Sequence, residues 1–549
     1  MGLHFADLAV QSVPAMEEEN RSDARGRMLR SAFAVGALTL VSRVTGLLRE
    51  TVHAHYLGTG LGADAFRVAL LIPNVFRRLV GEGAVSSAFV PVFTRVVRQE
   101  PGDVVRFSET FFSLWSMVLL AVTTLGMALA PSVLESLGAI GVAWTDEKLA
   151  LTSQLTVGLF PYLLLIGLAA VAGGILNARG IFALPSATSI LYNLAFIAAG
   201  LLLARRFAGE SGPAWAFTIG VLAGGLLQLL VLLPELWRVG IRLRWRAPFG
   251  HPGVREVLRL LLPATFGAGV YQLNVLVANF LAMRLPGSGA VSALGYAGRL
   301  MEFVLGVFVF ALSTVSLTTL SRQAAEGDRA GFRATLTEVL ELTVFITTPS
   351  AVGLFLLQEP VIALLLQTGR FDRESAVLTA QAFQWYVPGL VLVGLNRVIV
   401  AGFYAQKDVW TPVRIGSASL VVNAFLSWAL MGPLGHGGIA LASTLAALFQ
   451  IVWLFARFRL WGDERIAVRG PLLTWLRAGA ASFVMAGVVL LVKHFWIDPA
   501  VGRIALGIGV GAAIAAGAVV YFAAASLLGA PEARRLWRTL ARRFRVRSG

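Results

Sequence analysis

Long apolar runs, separated by short polar stretches, follow one another from about residue 31 to about residue 529. Many of these runs reach the roughly 20 residues that a helix needs to cross about 30 Å of hydrocarbon. With Gly, Pro and charged residues taken as boundaries, the pattern predicts fourteen helices. The predicted helices start near residues 31, 62, 106, 148, 184, 213, 253, 288, 329, 373, 409, 436, 470 and 499. The pattern therefore indicates an all-α integral membrane protein with fourteen transmembrane helices.

The chain also repeats itself at an offset of 227 residues. This single register recovers Pro and Gly positions in two separate regions: Pro161 with Pro388, Pro185 with Pro412, and Gly60 with Gly287. Because the offset spans an even number of helices, both copies have the same orientation in the membrane. The repeat predicts two six-helix lobes related by an axis along the membrane normal, followed by two extra C-terminal helices.

These patterns divide the chain into five predicted parts. Residues 1–30 form a disordered cytoplasmic extension, with no apolar core and cleavage site of a signal peptide. The N-terminal lobe is 31–240, the C-terminal lobe 250–465, the two extra helices 470–529, and a basic cytoplasmic tail 530–549. No stretch outside the helices is long enough for a soluble domain.

Composition narrows the class of protein further. Hydrophobic residues make up 57% of the chain and charged residues 14%, whereas soluble proteins carry about 25% charged residues. A transmembrane β-barrel is excluded because its strands alternate apolar and polar residues over short segments. The absence of cysteine excludes disulfides, thiolate metal sites and cysteine nucleophiles.

The net charge of +16 is explained by membrane topology. Basic residues concentrate on the side that carries the termini, in the loops from Arg238 to Arg246 and from Arg457 to Arg469, and in the tail from Arg534 to Arg547. Cytoplasmic loops carry such an excess, so both termini are predicted to be cytoplasmic. Membrane lipids are expected partners of the tail, and nucleic acid is not.

Charged residues inside the predicted helices mark functional candidates, because a charge at bilayer depth normally faces a cavity or a partner. The first helix carries Arg43, Arg49 and Glu50. Arg43 and Glu50, seven residues apart, share a face of a regular helix. We expect an ion pair between them.

A polar stripe runs down the second helix. At about 100 degrees per residue, five side chains fall within about 80 degrees of one another. They are Asp64, Arg67, Asn74, Arg78 and Glu82. Arg77 leaves the stripe in a regular helix, so it either reaches the cytoplasmic headgroups or is turned by a local bend near Pro73. The stripe favours a polar cavity.

Arg299 and Glu302 lie one turn apart in a second-lobe helix, where they can neutralise each other. A purely structural pair is the alternative to a functional one. In sum, several guanidinium groups and few acids lie inside the membrane, and guanidinium matches phosphate through paired donors. We therefore predict an anionic cargo carrying a pyrophosphate, bound between two lobes that rock about the site.

The same residues resemble a known family, the MurJ (MviN) lipid II flippases of the multidrug/oligosaccharidyl-lipid/polysaccharide exporter superfamily. The likeness covers almost the whole chain after residue 31. It is carried by Ser42-Arg43-Val44-Thr45-Gly46, Arg49, Ala63-Asp64-Ala65-Phe66, Pro73-Asn74, Arg77-Arg78, Glu82-Gly83-Ala84, Arg299-Leu300-Met301-Glu302-Phe303 and Gly402-Phe403-Tyr404-Ala405.

The resemblance implies translocation of an undecaprenyl-pyrophosphate-linked peptidoglycan precursor, lipid II, across the bacterial cytoplasmic (inner) membrane by alternating access. It implies no catalysis, no metal and no cofactor, and leaves the driving force open between membrane potential and a monovalent cation. The cell-wall synthesis machinery is an implied partner, and the two extra helices would form a groove for the lipid tail. Cavity roles are implied for Arg43, Arg49, Asp64, Arg78, Glu82 and Arg299, with the arginines on the pyrophosphate and the two acids pairing with them across the lobes.

Three positions depart from the family pattern. Gly298 stands where Asp is common, Arg67 where an aromatic residue is usual, and Val304 where Pro is frequent. We therefore expect different local pairing around Arg299, with Glu302 or Glu50 compensating.

Other functions remain open on the sequence alone. An exporter of another polyprenyl-linked oligosaccharide would share the arginine-rich cavity, whereas an exporter of cationic drugs would need unpaired acids there. A polyprenyl-dependent membrane glycosyltransferase needs a positioned acid or base, but the membrane-region histidines are scattered without a metal-binding spacing. A membrane scaffold has no need of buried arginines.

Overall fold

The computed structural model describes residues 34–78, 84–139, 141–207, 209–247, 250–460, 464–465, 469–497 and 502–534. Helix α1 is residues 34–57. The other helices are α2 (Leu61–Phe76), α3 (Ala84–Gln99), α4 (Val104–Ala139), α5 (Asp146–Leu159), α6 (Pro161–Ala178), α7 (Ala183–Leu203), α8 (Gly212–Arg238), α9 (Pro252–Met283), α10 (Ala290–Glu326), α11 (Arg329–Leu366), α12 (Arg373–Tyr386), α13 (Gly389–Ala405), α14 (Trp410–Arg457), α15 (Arg469–Trp496) and α16 (Arg503–Leu527). The described residues also include a 3₁₀ turn, Pro101–Asp103, a pair of two-residue strands, Arg459–Leu460 and Glu464–Arg465, and a helical stretch at 531–534. The prediction of an all-α protein is confirmed.

Several predicted spans are built from two helical pieces. α5 and α6 are separate helices that meet at Phe160, and α12 meets α13 at an angle of 47°. Conversely, the predicted eleventh and twelfth helices lie within α14, where Gly435 has the non-helical angles φ 57° and ψ −139°. Within the described residues, eight helices are long and apolar enough to cross a membrane, or nine if the bent pair counts as one span. The count of fourteen stays a prediction.

The helix bounds repeat at the offset found in the sequence. Adding 227 residues converts the bounds of α5 into those of α12, the end of α6 into the end of α13, and the start of α7 into the start of α14. In both copies the span breaks beside an equivalent proline, Pro161 and Pro388, because proline lacks the N–H that would continue the helix. The duplication is therefore visible in the backbone as well as in the sequence.

Large apolar side chains cover the outer faces of the helices. Phe483 on α15, Ile504 at the start of α16 and Leu527 at its end are each more than four-fifths exposed. A water-soluble protein rarely exposes contiguous apolar surface of this kind. Lipid-facing helices account for it, so the chain is a multi-pass membrane protein.

We call α1–α8 the N-terminal lobe and α9–α14 the C-terminal lobe. The largest core fills the N-terminal lobe and includes Val254 and Val257 from the first turns of α9. The second core is built from helices α9 to α14 of the C-terminal lobe, yet it includes Ala54 of α1 and Val68 of α2. The lobes are therefore packed together through the end of α1 and the start of α2.

The two extra helices pack on the C-terminal lobe. α15 and α16 share a core with α11, where the Tyr521 hydroxyl donates to the Phe345 carbonyl oxygen at 2.6 Å. The first residues of the predicted tail, 530–534, pack against these helices, where Glu532 is fully buried and accepts a hydrogen bond from Thr474 at 2.9 Å. The predicted extension, 1–30, and the rest of the tail, 535–549, lie outside the described residues.

Candidate substrate cavity

A cavity of about 340 Å³ lies between the two lobes. α1, α2 and α7 of the N-terminal lobe supply most of its lining, α6 and α8 add a few residues, and α10 supplies the part that comes from the C-terminal lobe. Six arginines and two glutamates line it: Arg43, Arg49, Arg67, Arg77, Arg78, Arg299, Glu50 and Glu302. Asn74 and His53 also face it. Its lining is thus strongly positive, and the structure brings together the sequence candidates Arg43, Arg49, Asn74, Arg78 and Arg299.

Glu50 is the centre of the charged floor of this cavity. Its Oε1 lies 2.8 Å from Arg49 Nη2 and 3.8 Å from Arg299 Nε, and its Oε2 lies 3.2 Å from Arg67 Nη2. Arg49 and Arg67 come from the N-terminal lobe and Arg299 from the C-terminal lobe. One carboxylate therefore links guanidinium groups of both lobes.

Arg49 is oriented by α7, a helix that sequence reasoning left out of the site. Arg49 Nη1 donates to Asn193 Oδ1 at 3.1 Å, and the amide of Asn193 donates to the Ser42 carbonyl oxygen and to Thr45 Oγ1, both at 3.1 Å. The Arg49 guanidinium carbon also lies 5.7 Å from the centre of the Tyr192 ring. The sequence did contain a pattern that could have identified α7 as part of the site. Its polar residues Ser189, Tyr192 and Asn193 recur at helical spacing in an otherwise apolar segment.

The end of α2 turns both neighbouring arginines into the cavity. α2 contains Pro73, and residues 77–78 form a π-helical turn that changes the register of the regular helix. Arg77 Nε therefore donates to Asn74 Oδ1 at 2.7 Å, and Arg77 lines the cavity beside Arg78. The sequence left open whether Arg77 reaches the cytoplasmic headgroups or is turned by a local bend, and the structure has the local bend. Glu82 lies outside the described residues.

Two predicted ion pairs have different outcomes. Arg299 Nη1 donates to Glu302 Oε2 at 2.9 Å, as predicted. The predicted partner of Glu50 was Arg43, but the structure places Arg49, Arg67 and Arg299 around Glu50. Arg43 reaches across to α10, where a Cβ added to Gly306 would meet its guanidinium. The expectation that Glu50 compensates at Arg299 agrees with their 3.8 Å separation.

Asp64 does not line the cavity, contrary to the prediction. It is buried at the start of α2, where Lys148 Nζ donates to its Oδ2 at 2.7 Å. It also accepts hydrogen bonds from the backbone N–H of Gly289 and Ser292, both at 2.8 Å, and from the Ser292 hydroxyl at 2.6 Å. Asp64 thus caps the N-terminus of α10, whose helix dipole favours a negative charge. Its partner across the lobes is a helix end, not an arginine.

Asp64 belongs to a belt of contacts that closes one end of the molecule. We call this belt the sealed end: it joins residues 53–64 of the N-terminal lobe to 288–296 and 368–375 of the C-terminal lobe. Thr59 Oγ1 lies 2.9 Å from Ser375 Oγ, and the Arg370 N–H donates to the His55 carbonyl oxygen at 2.8 Å. At the opposite end the first turns of α9 pack in the core of the N-terminal lobe through the buried Val254 and Val257, and Arg95 and Glu256 form an exposed pair at 2.5 Å. The lobes are thus joined by buried polar contacts at the sealed end and by apolar packing with an exposed ion pair at the opposite end.

A His-carboxylate group lies away from the cavity, where Glu100, Asp103 and His251 approach one another. His251 Nδ1 accepts the backbone N–H of Gly253 and so caps α9. A neutral ring then carries its proton on Nε2, which faces Asp103 Oδ2 at 3.7 Å. To bind a metal through Nε2, the ring would have to lose the proton there and donate an N–H from Nδ1 instead. The arrangement fits a helix cap better than a metal site.

Comparisons of the sequence with known proteins identify one family. The model of the family described as "Lipid II flippase MurJ" matches residues 53–508. The "Lipid II flippase MurJ" of Burkholderia cenocepacia is 36% identical over 474 residues, which cover 84% of this chain and 89% of that protein. The "Probable lipid II flippase MurJ" of Rhizobium meliloti is 33% identical, covering 94% of this chain and 96% of that protein.

Solved structures agree with the sequence comparisons. The structure "Lipid II flippase MurJ, inward closed conformation" superposes with a TM-score of 0.75 at 25% identity, covering 90% of this chain and 98% of that one. An inward-facing multidrug resistance MATE transporter of the MOP superfamily superposes with a TM-score of 0.60 at 16% identity, covering 75% of this chain and 94% of that one, a likeness of fold alone. The matched model spans most of the chain, so this protein belongs to the lipid II flippase MurJ family.

Proposed function

We propose that this protein is a lipid II flippase, which moves the undecaprenyl-pyrophosphate-linked precursor of peptidoglycan from the inner to the outer leaflet of the cytoplasmic membrane. It is a transporter and not an enzyme. The observation that carries the proposal is the cavity lining of six arginines and two glutamates between the lobes. A pyrophosphate is the part of the cargo that such a lining recognises, because each guanidinium offers paired donors to phosphate oxygens.

Alternating access follows from the arrangement of the lobes. The cavity is lined by both lobes, and the sealed end joins the lobes at one end of the molecule. We propose that both termini are cytoplasmic, which makes the sealed end periplasmic. Release on the outer side then requires the buried contacts around Asp64 to separate.

Two further parts of the cycle are proposals. The outer faces of α15 and α16 would guide the lipid tail, which is too apolar to enter the arginine-lined cavity. Membrane potential or a monovalent cation would drive the return of the lobes, and the cell-wall synthesis machinery would take up the cargo outside.

The test is replacement of a resident flippase in living cells. The resident protein is depleted from a bacterium, this chain is expressed, and precursor exposed at the outer leaflet is measured together with growth. We expect the wild-type chain to restore outer-leaflet precursor and Arg49→Ala to fail. Arg238→Ala is the matched control, because Arg238 lies outside the cavity in an exposed pair with Glu235. A well-expressed wild-type chain that leaves the precursor inside contradicts the cargo and favours another polyprenyl-linked oligosaccharide.

A further inference from the structure

Arg67 bridges the two lobes at the floor of the cavity. From α2 its Nη2 donates to Glu50 Oε2 at 3.2 Å, and its guanidinium carbon lies 4.0 Å from the centre of the Tyr296 ring on α10. It fills the space beside Gly295, where an added Cβ would lie 2.5 Å from Arg67 Nη1. The guanidinium is therefore held between a carboxylate of its own lobe and an aromatic face of the other.

The ring under Arg67 is part of the sealed end. Tyr296 is fully buried, and its hydroxyl donates to the Gly58 carbonyl oxygen at 3.1 Å. The same hydroxyl lies 2.7 Å from His53 Nδ1. Tyr296 thus ties α10 to α1, and the cation–π contact with Arg67 adds a third link across the same interface.

Glu50 divides its two oxygens between competing cations. Arg49 and Arg299 approach Oε1, whereas Arg67 holds Oε2. Arg67 Nε is buried and has no hydrogen-bond acceptor within the described part of the chain. Arg67 therefore has a spare donor, and its position depends on the balance between Glu50 and the Tyr296 ring.

We infer that Arg67 is a positioning residue that couples anion binding in the cavity to opening of the sealed end. The inference rests on the proposed function, since the anion is the cargo's pyrophosphate. Phosphate oxygens draw Arg49 and Arg299 away from Glu50, which leaves Arg67 as its remaining cation. In a site of low dielectric the less neutralised carboxylate attracts Arg67 more strongly. Arg67 then leaves Tyr296, and the interface loses one of its three links.

A cysteine reporter can follow the sealed end, because the chain has no cysteine of its own. Ala54→Cys is a small change at a fully buried position of α1 that packs in the core of the C-terminal lobe. Its rate of labelling by a membrane-impermeant maleimide reports how often the lobes separate there. The purified full-length protein is labelled with and without inorganic pyrophosphate, and with inorganic phosphate at matched ionic strength.

In the parent reporter we expect pyrophosphate to speed labelling and phosphate to have a smaller effect. Arg67→Met should raise the basal labelling rate roughly tenfold, as expected for loss of a desolvated cation–π contact, and should abolish the response to pyrophosphate. Arg67→Lys retains the charge and should restore most of both properties. Tyr296→Leu removes the stacking partner and should also raise the basal rate, which keeps the test valid if Arg67→Met folds poorly. Tyr296→Phe keeps the aromatic ring and should raise the basal labelling rate less than Tyr296→Leu does.

Three results would overturn the inference. In the first, the Arg67→Met reporter has the same basal labelling rate and the same pyrophosphate response as the parent reporter. In the second, Arg67→Met is labelled faster but still responds to pyrophosphate. In the third, pyrophosphate does not change the labelling rate of the parent reporter. None of these results decides the proposed function, because outer-leaflet precursor in cells is measured without the reporter. Conversely, the wild-type chain could fail to expose precursor in cells while the purified protein still shows a pyrophosphate response that depends on Arg67. That result would contradict lipid II as the cargo but would leave the coupling between anion binding and the sealed end in place.

Discussion

Two acidic residues close together in the sequence have separate environments in the membrane. Glu50 faces the cavity and is shared by three arginines, whereas Asp64 is buried with Lys148 and the N-terminus of α10. Both arrangements satisfy the requirement that a charge at bilayer depth be paired. The shared carboxylate can exchange its partners for a ligand, whereas Asp64 joins the two lobes through its hydrogen bonds to the N-terminus of α10.

The buried pair predicts a large loss of stability when one partner is removed. Asp64→Ala leaves Lys148 charged and only 2% exposed, so we expect the protein to lose about 3–5 kcal/mol of stability. Thermal unfolding in detergent measures it. Asp64→Asn combined with Lys148→Met should recover much of the loss, since no charge is then left alone. Equal melting temperatures for wild type and Asp64→Ala would rule out a stabilising pair.

The geometry of guanidinium predicts a graded effect at Arg49. Arg49→Lys keeps the positive charge but loses the planar donors that reach both Glu50 and Asn193. We expect transport about tenfold below wild type, between that of wild type and that of Arg49→Ala. Outer-leaflet precursor per unit of expressed protein measures it. Wild-type transport by Arg49→Lys would mean that charge alone suffices.

Sequence reasoning found the cavity arginines because charges in apolar helices are conspicuous. It misplaced Asp64 because a helical wheel shows which face a residue lies on but not how far along the helix the cavity extends. It missed Asn193 and Tyr296 because an amide or a phenol in a membrane helix is ordinary until its neighbours are known.

Breaks in the helices determine which side chains reach the cavity. The π-helical turn after α2 brings Arg77 into line with Arg78, which a regular helix would not do. The break beside Pro161 recurs beside Pro388 in the second copy. The sequence suggested a bend near Pro73, but it used Pro161 and Pro388 only as repeat positions inside single predicted spans, so it did not predict the breaks beside them.

The break within α14 predicts a contrast between two glycines. Gly435 has backbone angles that essentially only glycine adopts, whereas Gly432, three residues earlier, has no positive φ. Neither glycine has an atom near the position of an added Cβ. Gly435→Ala should therefore lower stability by about 1–3 kcal/mol through backbone strain alone. Gly432→Ala should be neutral, as judged by thermal unfolding. Equal effects would contradict the assigned break.

At the scale of the whole molecule, the duplication and the sealed end together define the transport path. The repeated helix bounds were predictable because one offset recovered both Pro and Gly positions. The state of the lobes was not, because the contacts that close one end join residues more than 200 positions apart, such as Asp64 and Ser292. Only packing shows which contacts join the lobes at each end.

The proposed topology predicts which loops reach the outside of the cell. Arg206, between α7 and α8, should lie outside, and Arg244, between α8 and α9, should lie in the cytoplasm; both are exposed. Single variants Arg206→Cys and Arg244→Cys can be labelled in intact cells with an impermeant maleimide. We expect labelling of the first only, with both labelled after lysis. The reverse pattern would place the sealed end in the cytoplasm.

The central claim, that the arginine-lined cavity carries a lipid-linked pyrophosphate across the membrane, is tested most directly with purified protein. The wild-type chain, Arg49→Ala and Arg238→Ala are reconstituted at equal density into vesicles that hold labelled undecaprenyl-pyrophosphate-linked precursor. Arrival of the precursor at the opposite leaflet is then measured. We expect movement with wild type and Arg238→Ala, and little movement above that of protein-free vesicles with Arg49→Ala. Equal movement by all three proteins would contradict it.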